Sequence, residues 1–368
     1  MNRRWICNDV WMDILPSFDR PQLGLKLALL SPRFNALVDK HFEGKSELTI
    51  WRPIKIRRKD SVTASAPELY VINSAANSVP FPLPDRPLPS KIRFKHLQIL
   101  YIDHFVIAFL RSNHQIFDKR GTNLYLSIPS SHTTDGQQIW DAFVREIWPI
   151  FSANIHYLDF PHRDDLDNLL RLISPTILTD LDQLNSIYSF DLMPEAIGVD
   201  FDVPNATISA GQALSKWLHS PRNDGQPKRL RCRHFNEQAD IDWVNNFKEH
   251  FLRANAISSV SYEIHFSVRV SSIVPFELTN EWTKEKLTLA KAKENEWDNR
   301  WIMKRCKIGE TAVVQQQKKD ENLNNNCNNV FIWLDSDTNC IGPLSPPPTK
   351  EEEAGQSITN GSSSSVDK

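Results

Sequence analysis

From about residue 91 to 270 the chain alternates between two hydrophobic periods. A stretch with apolar residues at helical spacing is followed, after a loop, by a short stretch in which apolar and polar residues alternate. The helical stretches are 103–112, 139–151, 165–173, 210–219 and 241–254. The alternating ones are 92–99, ahead of the first helix, then 123–128, 155–160, a weak one at 184–187, 229–233 and 260–266. Most units are about 30 residues long, the period of stacked α/β repeats. One longer interval holds an acidic loop at 195–202. No strict Leu-x-x-Leu-x-Leu signature is present, so the expectation is a degenerate, leucine-rich-like repeat over 91–272.

The segments on either side read differently. Residues 5–44 predict three short helices separated by prolines. Asn8 or Asp9 caps the first, which carries Val10, Trp11, Ile14 and Leu15 on roughly one side and stops at Pro16. Pro21 sits in the first turn of the second, with Leu23, Leu27 and Leu30 at helical spacing. Pro32 opens the third, with Phe34, Leu37 and Val38. Apolar faces this dense on so short a segment predict docking onto something else.

Residues 45–90 predict a strand at 48–58, placed at a sheet edge by Pro53, and then a Ser-, Ala- and Pro-rich connector over 60–90. Residues 273–342 predict a small antiparallel β cap: a hairpin of 275–280 and 286–290, then strands at 300–308 and 329–334. The Pro-rich, acidic and Ser-rich tail at 343–368 is expected to be disordered. The fold class is mixed α+β and α/β: a three-helix module over 1–44, a repeat domain and an antiparallel cap.

Composition narrows the function. Eleven Trp and nineteen Phe among 368 residues demand a substantial core. The net charge of −2 gives no global field for nucleic acid or an acidic membrane. No apolar run of about 18 residues occurs, so no membrane span is expected. The start Arg3-Arg4 leads into Asn8, Asp9 and Asp13 rather than an apolar core, so no signal peptide is expected either. The five cysteines, at 7, 232, 306, 327 and 340, form no CxxC pair, which fits a reducing compartment. Cytoplasm is the expected location, with the nucleus as the alternative if Lys55-Ile-Arg-Arg-Lys59 serves as an import signal.

Enzymatic chemistry finds no support. His162-Arg-Asp-Asp165 resembles a kinase catalytic loop, but no Gly-rich loop, Asp-Phe-Gly or strand lysine motif accompanies it. Its acids fit the N-terminus of the helix that follows. There is no HExxH or HxxxH pair for zinc, no GxSxG elbow and no phosphate-binding loop. No cofactor and no metal are expected. Lys228-Arg-Leu-Arg-Cys-Arg233 alternates on a strand, which puts its basic residues on one face. That face suits acidic peptide segments, or nucleic acid on a reading that the net charge disfavours. The Pro80–Pro89 stretch has PxxP spacings but reads first as a rigid linker.

The segment Asp9-Val-Trp-Met-Asp-Ile-Leu-Pro16, with Leu29-Leu-Ser-Pro-Arg-Phe34 further on, resembles an F-box. The whole chain, through Phe276-Glu-Leu-Thr-Asn280 and Ile341-Gly-Pro-Leu344, is similar to the large F-box families of plant-parasitic nematodes. The resemblance implies a substrate receptor of an SCF-type cullin–RING ubiquitin ligase. The N-terminal helices would bind the Skp adaptor, and the repeat domain would bind the protein to be ubiquitinated. It implies adaptor-binding positions at Val10, Ile14, Leu15, Leu23, Leu27, Leu30 and Phe34, with Arg33 as the basic position beside Phe34. Two departures from the motif stand out. Ile6-Cys7 replaces the usual Leu-Pro. The interval from Leu23 to Leu30 is about one residue longer than the general pattern. The rival expectation is a repeat-domain binding protein with a worn-out F-box and no ligase role.

Overall fold

The computed structural model describes residues 6–43, 48–58, 67–72, 78–89, 92–118, 121–195, 208–233, 237–255, 260–267, 273–292, 300–309, 327–335 and 340–345. Most of the acidic loop at 195–202 and the tail from 346 lie outside the described residues. In chain order the strands are β1 (Leu48–Ile50), β2 (Ile54–Arg57), β3 (Glu68–Ile72), β4 (Ser78–Pro82), β5 (Ile92–Phe94), β6 (His96–Ile99), β7 (Thr122–Ser127) and β8 (Ile155–Phe160). They continue as β9 (Ser186–Phe190), β10 (Lys228–Arg233), β11 (Tyr262–Ser267), β12 (Phe276–Asn280), β13 (Glu285–Lys291), β14 (Arg300–Lys307) and β15 (Asn328–Trp333).

Thirteen of them form one mixed sheet in the order β12-β13-β14-β11-β10-β9-β8-β7-β15-β6-β2-β3-β4, while β1 pairs with β5 alone. Strands β7 to β11 lie side by side in chain order and are parallel. A right-handed crossover between parallel strands sets its helix on one particular side. Because each step runs in the same direction along the sheet, every connecting helix falls on the same side. That topology roofs one face and, among the described residues, leaves the other bare of connecting helices.

Burial follows the topology. Leu124, Leu158, Ile187, Leu230 and Ile264 align across β7 to β11, each at 0% exposure. They share a core with Leu110, Phe143, Leu169, Leu214 and Phe247 from the helices. Each such side chain contributes about 1.5–3 kcal/mol. The alternate residues on the same strands, among them Tyr125, Tyr157, Asp159 and Tyr188, are only half-buried, and Arg231 and Arg233 are exposed.

The helices start where short polar side chains can satisfy free N–H groups. Asp103 accepts from Val106 N at 2.9 Å ahead of His104–Ser112. Thr133 accepts from Gly136 N at 3.0 Å, so the helix expected over 139–151 begins at Thr134. That helix loosens into a π turn at Phe143–Ile147 just before Trp148–Phe151. Pro149 explains the turn, since its ring has no N–H to donate and crowds the carbonyl four residues back. Ser209 and Gln212 form a reciprocal cap on Ala210–His219. At the other end of that helix the buried Lys228 Nζ donates to the Ser220 carbonyl at 2.6 Å and to the Trp217 carbonyl.

Several expectations need correction. The strand at 48–58 is two strands, β1 and β2, separated around Pro53. Part of the 60–90 connector is an antiparallel hairpin, β3 with β4, which extends the sheet beyond β2. Pro80 and Pro82 are tolerated there because β4 is an edge strand. The hairpin β12–β13 and strand β14 do form an antiparallel border beside β11. The strand expected at 329–334 is no part of that border. As β15 it lies parallel between β6 and β7, far along the sheet. Asparagines fix its register: Asn123 Nδ2 donates to Asn329 Oδ1 at 2.9 Å, and Asn328 Nδ2 donates to the Ile116 carbonyl at 2.9 Å.

Candidate functional site

The N-terminal residues fold as helix Asn8–Ile14, a 3-10 turn Leu15–Ser17, a second helical run from Arg20 to Leu30 and helix Pro32–His41. The first helix is not capped by Asn8 or Asp9. Cys7 occupies the cap position without a side-chain bond. The Asn8 Oδ1 instead accepts from Arg33 Nε at 3.0 Å and Nη2 at 2.8 Å, and Arg33 Nη2 also donates to the Ile6 carbonyl at 2.6 Å. Arg33 therefore ties the start of the first helix to the third. Asp19 and Gln22 form a capping box on the second run, and Ser31 accepts from Phe34 N at 3.3 Å at the start of the third helix. The second run passes through a π turn at Leu23–Leu27. A π turn holds one residue more than an α turn, which absorbs the longer interval between Leu23 and Leu30.

The seven residues that the resemblance implies for adaptor binding divide by exposure. Val10 is 44% exposed and Leu30 61%. Ile14 and Phe34 are half-buried, and Phe34 meets Trp11 edge to face with centroids 4.8 Å apart. Leu15, Leu23 and Leu27 are buried in the core that the module shares with the sheet. Those three have little surface to offer a partner; they hold the helices that present the others. Ile6, just ahead of the first helix, is also 44% exposed.

The second surface is the bare face of the sheet. Cα register places Phe331, Tyr125, Asp159, Tyr188, Arg231 and His265 in one row across β15, β7, β8, β9, β10 and β11. Tyr125 stacks on Phe331 at 4.2 Å with 15° between the ring planes, and Tyr157 lies 5.3 Å from Tyr125. Trp333, 62% exposed, extends this apolar strip. The Tyr157 hydroxyl donates to Asp159 Oδ2 at 3.0 Å. Burial pushes the Asp159 carboxyl up to about 6, against the opposing hydrogen bond from Tyr157. Burial, with the Asp159 charge behind it, also pushes the Tyr125 phenol up to about 12. Glu263 behaves in the opposite way. Burial would raise it, but bonds from His265 at 3.3 Å and Lys304 at 2.7 Å, with the Lys304 and Arg229 charges, hold it down to about 2.

The basic strand reads as expected in part: Arg229, Arg231 and Arg233 alternate onto the bare face, whereas Lys228 is buried. The aromatic strip is not marked in the sequence, because its members come from three separate strands. The available signal was the alternation itself, in Tyr125 and Ser127, Tyr157 and Asp159, Tyr188 and Phe190.

The kinase-like His162-Arg-Asp-Asp165 is a helix start. Asp164 and Asp165 occupy the first turn of Arg163–Leu172. Asp165 is buried, its Oδ1 accepts from Ile128 N at 3.4 Å, and its Oδ2 has no protein partner. Burial raises its carboxyl from 3.8 to about 8, only partly offset by backbone N–H groups. Between those values the folded chain holds a proton that the unfolded chain has lost. Stability therefore falls as pH rises from 3.8 to about 8 and stays reduced above that. Asp159 adds a change of the same sign between 3.8 and about 6. Asp165→Asn is expected to remove this residue's share of the slope: its thermal midpoint should gain on wild type steadily from about pH 4 to about pH 8 and keep that advantage at pH 9. A gap between Asp165→Asn and wild type that fails to widen from pH 5 to 8 would contradict the burial argument.

Among the described residues no helix is long and apolar enough to cross a membrane. No family model, no curated protein and no solved structure matches the chain.

Proposed function

We propose that the chain is a non-enzymatic substrate-recognition adaptor of an SCF-type ubiquitin ligase. The N-terminal helices dock on the Skp adaptor of the cullin–RING assembly, and the bare sheet face holds the protein to be modified. The observation that carries this reading is the exposure of Ile6, Val10 and Leu30, with Ile14 half-buried, on a module whose remaining leucines are spent internally. Large apolar side chains gathered on one short module mark a docking surface. Arg33 holds these residues in place by joining the start of the first helix to the third. Catalysis then belongs to the ligase, and this chain supplies proximity.

The test is co-expression with the Skp adaptor, followed by size-exclusion chromatography. A stoichiometric complex is expected. Val10→Asp with Leu30→Asp is expected to abolish it while the thermal midpoint stays within about 2 °C of wild type, since exposed substitutions change stability little. Leu23 is unsuitable for this purpose because it is 2% exposed, and a charge there would unfold the module itself. A well-folded chain that forms no complex would be a free-standing binding protein with a vestigial F-box.

A further inference from the structure

We propose that the bare face of the sheet binds an extended, carboxylate-rich segment of a protein partner, laid across the strands along the row from Phe331 to Arg231. This rests on the substrate-binding half of the reading above and needs no adaptor.

Charge is the first argument. The chain as a whole carries −2, yet this face is cationic. On β8 to β11 and β14 its side chains include Arg229, Arg231, Arg233, Arg300 and Lys304 against Asp159 and Glu263. Glu263 is engaged by Lys304 at 2.7 Å and Arg229 at 3.5 Å, while Arg231, in the row itself, is exposed, as are Arg233 and Arg300 on the same face. Such a field attracts carboxylates from solution and sets the register of the segment that bears them.

Shape is the second. From β15 to β10 the row spans about 19 Å at the usual strand spacing. An extended segment of about six residues covers it. At one end the segment meets Trp333, Phe331 and Tyr125, which suit apolar side chains; at the other it meets arginines. Tryptophan, tyrosine and arginine are the residues that dominate binding energy at protein interfaces.

Ring orientation argues against a single-stranded nucleic acid. Stacking platforms offer ring faces to successive bases. Here Tyr125 and Phe331 are neighbours in the row and stack on each other, so the faces turned together are not available to bases.

The experiment uses the purified full chain and fluorescence anisotropy. The probes are a labelled peptide of alternating leucine and glutamate, its lysine-for-glutamate counterpart and labelled oligouridine. The glutamate peptide is expected to bind saturably, the lysine peptide at least about tenfold more weakly. Arg231→Glu is expected to weaken glutamate-peptide binding by about tenfold or more, and Arg231→Gln by less, with circular dichroism and thermal midpoint unchanged because Arg231 is exposed. If the charge reversal impairs folding, Arg231→Gln decides the matter. No binding of the glutamate peptide, binding indifferent to both substitutions, or tighter binding of oligouridine would each overturn the proposal. Complex formation with the Skp adaptor is read separately, so either idea can fail without the other.

Discussion

Glu285→Ala is expected to destabilise the protein by about 3–5 kcal/mol, the usual cost of breaking a buried ion pair from one side. Glu285, at 0% exposure, opens β13, and Arg305 on β14 reaches its Oε2 with Nη2 at 2.6 Å and Nε at 3.2 Å. Burial opposes the charge on Arg305, but Tyr262 and Glu285 more than offset it and hold its pKa above the ordinary value. The guanidinium cannot escape by losing its proton. Without the carboxylate it remains a buried cation beside Tyr262 and 5.6 Å from the Phe251 ring centroid. Urea unfolding followed by circular dichroism measures the loss. Replacing both partners, Glu285→Leu with Arg305→Met, is expected to recover most of it, because two apolar side chains need no desolvation. A single-variant loss below about 1 kcal/mol would mean that water reaches the pair in solution.

The same border of the sheet shows what a local reading can reach. The hairpin of β12 and β13 was visible in the alternation of Leu278, Leu287 and Leu289 around a polar turn. In the structure Asn280 Oδ1 accepts from Trp282 N at 2.9 Å and Thr283 N at 3.1 Å, and Lys284 closes the turn at φ 56°. The helices over 103–112 and 210–219 were legible for the same reason: caps and periodicity lie within one segment. The hairpin β3–β4 was not. Its prolines and small residues suit a linker equally well, and only its pairing with β2 makes them strands. The row on the bare face was legible residue by residue but not as a surface, since register between distant strands is not written in any one of them.

The N-terminal module divides in the same way. Its helices, its prolines and the caps at Asp19 and Ser31 follow from neighbouring residues. Which leucines face inward depends on the sheet beneath. Arg20 Nη1 donates to the Thr49 carbonyl at 3.0 Å, and Leu23 and Leu27 join the core that includes Ile50. An amphipathic pattern names the apolar residues of a helix but does not say whether the chain or a partner covers them. Leu27 and Leu30 look alike in sequence, and the structure gives them 8% and 61% exposure.

Ile332→Ala is expected to cost about 2–5 kcal/mol, as for an aliphatic side chain removed from a packed interior. Ile332 lies at 0% exposure between Ile99 of β6 and Leu126 of β7. Placed in a terminal antiparallel cap, as sequence order suggests, the same residue would lose far less, because an edge strand packs on one side only. Hydrogen exchange separates the two positions without mutation. The amides of Val330 and Ile332 are expected to exchange only through global unfolding, since β15 is paired on both sides. Those of the edge strand β4 are expected to exchange through local fraying. Exchange in β15 as fast as in β4 would return it to an edge and break the row at Phe331. Because β15 fills the gap between β6 and β7, the sheet closes only after the chain beyond residue 327 has been made. The bare face, which needs Phe331 and Trp333, is then completed last, so a chain truncated before β15 should lose both the core and the surface together.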